Sequence, residues 1–256
     1  MYEYHQGDSP VLINVPHCGT RLPEALASTM TEEARRLTDT DWHVDRLYGF
    51  AKRLGATILS ARISRYVIDL NRPPDDTALY EGMGGTGLCP TETFDGTALY
   101  LDGCSANRLD RLEEYWQPYH DKLSQTVESI RDTHGFAVLL DAHSIRSIVP
   151  RLFEGQLADF NLGSNSGASC DPTLTSLAVG ALTSDDYSLV VDGRFKGGYI
   201  TRHYGNPAAG VHALQLELSQ RTYMNEAPPF SLLPEKAESV SKWLKALVTQ
   251  LLTWSP

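Results

Sequence analysis

The sequence predicts a three-layer α/β domain with a mixed central sheet. Short apolar, β-branched runs alternate with longer stretches of helical periodicity, the pattern of helices packed on both faces of a sheet. Several polar residues stand where the apolar runs end, and open sheets of this class bind ligands beyond the carboxyl ends of their strands.

Val11–Val15 reads as a buried strand running into the tight turn Pro16-His-Cys-Gly19. A helix is expected after Asp41, with Asp41 as its N-cap and Gly55 as its stop. Strands are expected over Ala56–Ala61 and Tyr66–Leu70, the second ended by Asn71-Arg-Pro-Pro74. A long helix over 106–133 should bend at Pro118. Phe136–Ala142 is the clearest buried strand and leads into His143-Ser144. A helix over Asp171–Ser184 places Pro172 in its first turn, and Tyr187–Asp192 is a further strand. Beyond a bend at Gly197-Gly198, Leu214, Leu216 and Leu218 share one face of a strand, with Gln215 and Glu217 on the other. Val240, Trp243, Leu244, Leu247, Val248 and Leu251 form the apolar stripe of a final helix, Pro234–Trp254. With no repeat and no linker, residues 1–256 are expected to form one domain. From Asp75 to Gly103 glycines at 82, 84, 85, 87 and 96 interrupt packing, and a loop of that length is expected to be a lid or binding loop rather than a surface insertion.

Composition narrows the function. No run approaches the ~20 apolar residues of a membrane span, and no basic-then-apolar leader opens the chain. A formal charge of −10 argues against nucleic acid. An anionic substrate must therefore be drawn by a local arginine cluster, not by the global field. The four cysteines lack C-x-x-C spacing, so a zinc–thiolate site or disulfide scaffold is not expected and the reducing cytoplasm is the expected compartment.

His17 and His143 each follow an apolar strand. Neighbouring strands lie only about 4.8 Å apart, so two such imidazoles can converge. Imidazole and carboxylate donors suit zinc, and cobalt or nickel accepts the same set. The third ligand should be an acid from Asp39, Asp41 or Asp45. Asp41 already suits a helix N-cap, so Asp45, one turn on, is taken as the ligand. Asp141 is a rival, equally suited to orienting a ligand histidine. Glu217 lies within an apolar strand, where an ionised carboxylate is costly without a partner. Such a group suits a general base, and a salt bridge across the sheet is the structural alternative. Arg65, Arg72 and Arg202 can grip carboxylates through two parallel hydrogen bonds.

These residues lie in strings that resemble the N-formylglutamate amidohydrolase family. The strings are Pro16-His-Cys-Gly19, Thr40-Asp-Trp-His-Val-Asp45, Arg65-Tyr-Val-Ile-Asp-Leu-Asn-Arg72, Pro118-Tyr-His120, Asp141-Ala-His-Ser144, Lys196-Gly-Gly-Tyr199, Thr201-Arg-His-Tyr-Gly205 and Val211-His-Ala-Leu-Gln-Leu-Glu217. The resemblance runs from about residue 10 to Met224. It implies a fold related to the zinc carboxypeptidases (phosphorylase/hydrolase-like) and one divalent metal held by His17, Asp45 and His143. It implies Glu217 as catalytic base and His120 as a second catalytic residue that orients substrate or stabilises an oxyanion, with a structural role for His120 as the alternative. Arg65, Asn71, Arg72, Arg202 and His203 are the implied substrate-binding residues. The implied reaction is hydrolysis of N-formyl-L-glutamate to glutamate and formate, in histidine degradation. The sequence departs from the family pattern at Cys18, where serine is expected. It also departs at Asp192 and Arg194, where asparagine and a small residue or proline are expected. The competing readings are a related hydrolase of another N-acyl or N-formyl acid, a small carboxypeptidase, and a metal-free dicarboxylate-binding protein. A nucleophilic hydrolase using Ser144 or Cys18 is disfavoured, because neither lies in a G-x-S-x-G elbow.

Overall fold

The computed structural model describes residues 1–78, 86–102, 104 and 108–256. Its centre is a seven-stranded sheet. The strands are β1 (Tyr2–His5), β2 (Val11–Val15), β3 (Thr57–Ala61), β4 (Ala137–Ile145), β5 (Phe160–Gly163), β6 (Leu189–Val191) and β7 (Val211–Ser219). Their order is β1-β3-β2-β4-β7-β5-β6, with β3, β2, β4 and β7 parallel and β1 and β5 antiparallel to their neighbours β3 and β7. The expected mixed α/β sheet is observed.

Alternation along β4 and β7 sorts side chains onto two cores. Val138, Leu140, Leu214, Leu216 and Leu218 pack with the helices Pro172–Leu182 and Pro234–Thr253. Leu139 and Ala213 face the helix Gln117–His134, which buries Leu123, Val127 and Ile130 along one side. Full burial of each such side chain contributes about 1.5–3 kcal/mol over leaving it exposed. Asp171 caps the helix Pro172–Leu182 by accepting from the Thr173 amide, as Pro172 in its first turn anticipates.

Three elements differ from expectation. Tyr66–Leu70 is a succession of turns, with Val67 N bonded to Ser64 O and Asp69 N to Leu88 O, so this apolar run is buried without joining the sheet. The long helix is continuous through Pro118. A π-helical segment, Leu112–Trp116, precedes it and leaves Pro118 in the first turn of Gln117–His134, where its missing N–H costs little. The helix after Asp41 shrinks to Val44–Leu47 followed by a 3₁₀ turn, Gly49–Leu54, and no side chain caps Val44–Leu47. Of the glycine-rich loop, residues 79–85 and 103 lie outside the described residues, so the expected lid is not addressed. Among the described residues no helix is long and apolar enough to cross a membrane.

Candidate metal centre and substrate pocket

The sheet face that is apolar at Leu139 and Ala213 turns polar towards the strand ends, where Asp141 pairs with Gln215 and His143 with Glu217. His143 thus lies inside β4, in register with Glu217 and on the same side of the sheet. His17 arrives two residues beyond β2 on a turn that needs Gly19: a Cβ there would sit 2.1 Å from the Ile63 carbonyl oxygen. The third member is Asp41. Its backbone N–H donates to the His17 carbonyl at 3.1 Å, which ties the two segments together. Ligand atoms of His17, Asp41 and His143 lie within 4.8 Å of one another, and this buried group can hold a metal ion.

The expectation for Asp45 is corrected by the chain path. His43 adopts a left-handed conformation (φ 66°), and the turn it makes carries Asp45 away from the histidines. The Asp45 carboxylate lies 3.5 Å from Arg62 and accepts from the Arg46 amide. Asp41 is spared capping duty, so its carboxylate is available.

The donor set fits a small divalent cation. His17 Nε2 pairs with Asp69 at 2.7 Å and His143 Nε2 with Asp141 at 2.9 Å, so both rings turn Nδ1 towards Asp41. A carboxylate on the far nitrogen fixes ring and tautomer in metal-binding histidines. Asp41 Oδ2 lies 3.0 Å from His143 Nδ1 and 3.7 Å from His17 Nδ1, near the about 3.3 Å edge of a tetrahedral shell with zinc–ligand distances of about 2.0–2.1 Å. His17 Nδ1 and Asp41 Oδ1 are buried with no hydrogen-bond partner among the described residues. Burial alone would raise the Asp41 carboxyl, but its contacts with His143 and His17 outweigh that and hold it low. Burial likewise opposes charge on His143, and Asp141 and Asp41 overcome it.

A cavity of about 310 Å³ opens beside the cluster, at the small end of ligand pockets. His17, His143, Glu217, Arg65, Asn71 and Arg72 all line it. Burial, foremost, and the nearby Asp41 and Asp141 push the Glu217 carboxyl up to about 8 against His143 and Arg65. Arg65 donates to Asp69 at 2.7 Å and lies over the Phe94 ring. Asn71 Nδ2 lies 3.1 Å from His143 Nε2, while its Oδ1 accepts from the Ile200 amide. Gly198 permits this approach, since a Cβ there would meet the Asn71 side chain at 2.4 Å.

Other expected site residues stand outside the cavity lining. His120 is buried between Trp116 and Tyr204, with Nε2 donating to the Leu70 carbonyl and Nδ1 accepting from the Tyr204 hydroxyl. Burial pushes its pKa down to about 4. These contacts suit the structural alternative, bracing the backbone just before Asn71. Arg202 donates through Nε to the Gly197 carbonyl. His203 is exposed and stacked on Tyr199. Both residues sit on the short helix Tyr199–Tyr204 and are not among the described residues that line the cavity. Cys18 is buried between the carbonyls of Val15 and Ala61, where burial pushes its thiol up, and it stays out of the cluster. Sequence reasoning gave no role to Asp69 or Gln215, and Arg194, noted there as a departure from the family pattern, lines the cavity. For Asp69 the signal was present, an acid inside the apolar run Tyr66–Leu70, the same signal that singled out Glu217.

A model of the N-formylglutamate amidohydrolase family matches residues 9–224. The chain is 49% identical over 255 residues to the N-formylglutamate deformylase of Pseudomonas putida, covering 98% of this chain and 95% of that protein. To the N-formylglutamate deformylase of Pseudomonas aeruginosa it is 50% identical, covering 98% and 96%. The crystal structure of N-formylglutamate amidohydrolase from Ralstonia eutropha JMP134 superposes with a TM-score of 0.85 at 25% identity, over 98% of this chain and 96% of that one. A gene product of Agrobacterium tumefaciens shares the fold, with a TM-score of 0.75 at 15% identity over 98% and 94%. A matched length of this kind, with the strings at the strand ends in place, leaves one assignment: the chain belongs to the N-formylglutamate amidohydrolase family.

Proposed function

We propose that this protein hydrolyses N-formyl-L-glutamate to glutamate and formate, the reaction named for its relatives, and serves histidine degradation in the cytoplasm. The observation that carries the reading is the buried His17–Asp41–His143 cluster opening, beside Glu217, into a small pocket lined by arginines. His17, Asp41 and His143 would hold one divalent ion, zinc before cobalt or nickel. Such an ion supplies Lewis acidity towards the formyl oxygen and eases deprotonation of water.

The remaining chemistry belongs to the chain. Glu217 takes a proton from the water that attacks the formyl carbon. It then returns the proton to the leaving nitrogen as the C–N bond breaks, releasing formate and the free amine. Arg72 holds the carboxylate nearer the amide, with its Nε fixed on the Thr86 carbonyl at 2.8 Å. Arg65 acts mainly on the cluster itself, because Asp69 and Asp41 both balance its charge.

Formate release from N-formylglutamate, N-formylaspartate and N-acetylglutamate, with and without a chelator, tests the reading. We expect N-formylglutamate to lead and chelation to abolish turnover; equal rates on all three, or indifference to chelator, sinks it. Asp69→Asn, which removes the charge that orients His17, is expected to weaken metal retention by about 10- to 100-fold. Competition with a chromogenic chelator measures this, and unchanged affinity would remove Asp69 from that role.

A further inference from the structure

Two members of the metal-binding group owe their aim to regular structure: His143 lies within β4, and His17 follows β2 closely. Asp41 has no such support. It lies on irregular backbone, two residues before the left-handed His43 and ahead of the short helix Val44–Leu47. A ligand on a segment of that kind keeps its direction only if neighbouring groups hold it. Both flanking carbonyls are held. Gln220 Nε2 donates to the Thr40 carbonyl at 2.9 Å, and the Tyr223 hydroxyl donates to the Trp42 carbonyl at 2.8 Å. These donors come from the 3₁₀ turn Gln220–Thr222 and the residue after it, which follow β7 without a break. Further along the same stretch, His43 Nε2 donates to the Phe230 carbonyl at 2.8 Å and the Phe230 ring stacks on Trp42. Gln220 and Tyr223 also meet at Ser144, whose hydroxyl lies 3.3 Å from Gln220 Nε2 and 2.7 Å from the Tyr223 hydroxyl. The Ser144 amide donates to Asp41 Oδ2 at 3.2 Å.

We infer that Gln220 and Tyr223 are positioning residues of the metal centre, a clamp that sets the direction of the Asp41 carboxylate. The inference rests on the metal-centre reading above and deepens it. Peptide units are planar, so holding the Thr40 and Trp42 carbonyls, with the Asp41 N–H on the His17 carbonyl, fixes the backbone on both sides of the Asp41 Cα. The Cα–Cβ direction follows from that. Gln220 and Tyr223 are fully buried, where no water replaces a lost donor. Neither is among the described residues that line the cavity or form the metal-binding group, so both act through Asp41. The clamp also ties the metal ligand to the base. Glu217 stands three residues before Gln220, so the strand that presents the proton acceptor leads straight into the turn that aims the ligand.

The test measures zinc affinity, by competition with a chromogenic chelator, in the wild type, Tyr223→Phe and Gln220→Met. Each variant keeps the bulk of the side chain and loses the donor. Each is expected to bind zinc about 10-fold more weakly, the lower end of the range for residues that orient metal ligands. The visible absorption of the cobalt(II)-loaded protein, which reads ligand geometry, should shift in both. The same two substitutions in an Asp41→Ala background separate positioning from general loosening, because there each should change zinc affinity by less than about twofold. Circular dichroism verifies folding, and two variants from different ends of the clamp guard against one failing to fold. Folded variants with wild-type affinity and an unshifted cobalt spectrum overturn the inference. An equal loss of affinity with and without the Asp41 carboxylate overturns it as well. A wild type that takes up neither zinc nor cobalt overturns the metal-centre reading itself, so the two failures are distinguishable.

Discussion

Replacing Glu217 with glutamine is expected to lower kcat for formate release by about 10²- to 10⁴-fold, the range for loss of a positioned acid–base group. Glutamine keeps the shape and the place in β7 but can neither take the proton from water nor return it to the leaving nitrogen. Glu217 faces the pocket in register with His143, one strand from it, and is not among the three residues of the metal-binding group. Metal content should therefore hold, and KM should move much less than kcat. Rapid-quench or steady-state formate measurement on metal-quantified protein decides. A variant within tenfold of wild type would mean another group carries the proton. Burial pushes this carboxyl up to about 8. A bound cation acts in the opposite sense, and local charge of that kind brings a carboxylate back towards a useful base.

The second large effect separates two aspartates four residues apart. Asp41→Asn is expected to weaken metal binding by more than about 100-fold, beyond the about 10- to 100-fold range of residues that only orient ligands. Activity should fall with it. Asp45→Asn should leave affinity and kcat near wild type and cost at most about 1 kcal/mol, since its contact with Arg62 is partly exposed. Metal titration of both apoproteins reads this directly. The reverse outcome, Asp45→Asn losing the metal while Asp41→Asn keeps it, would overturn the assignment built on the His43 turn.

These two experiments mark where sequence reasoning was strong and where it failed. Glu217 was legible because an acid among alternating leucines violates the energetics of an apolar strand, and a period of two fixes its face. His17 and His143 were legible for a related reason: apolar runs announce strands, and strand ends in such sheets face ligands. Asp69 carried the same signal as Glu217, yet Tyr66–Leu70 was read as a strand, so its acid received no role. His120 was left between a catalytic and a structural role because a histidine beside a proline on a helix looks the same in sequence whether it faces a pocket or, as here, sits between Trp116 and Tyr204 with both nitrogens occupied. Arg202 was singled out as a guanidinium able to grip a carboxylate and His203 by the resemblance alone, and neither is among the described residues lining the cavity.

By itself the sequence determined the α/β class, the strands that carry His143 and Glu217 and the one that leads into His17, and the family, because periodicity and long ordered strings survive without knowledge of the fold. Only the tertiary structure decided which aspartate joins the histidines, which acids orient them and which arginines reach the cavity. Those are questions of side-chain direction after a turn. One left-handed residue at His43 reverses the sense of Asp41 and Asp45, and spacing along a chain does not encode a change of direction that a single backbone torsion sets.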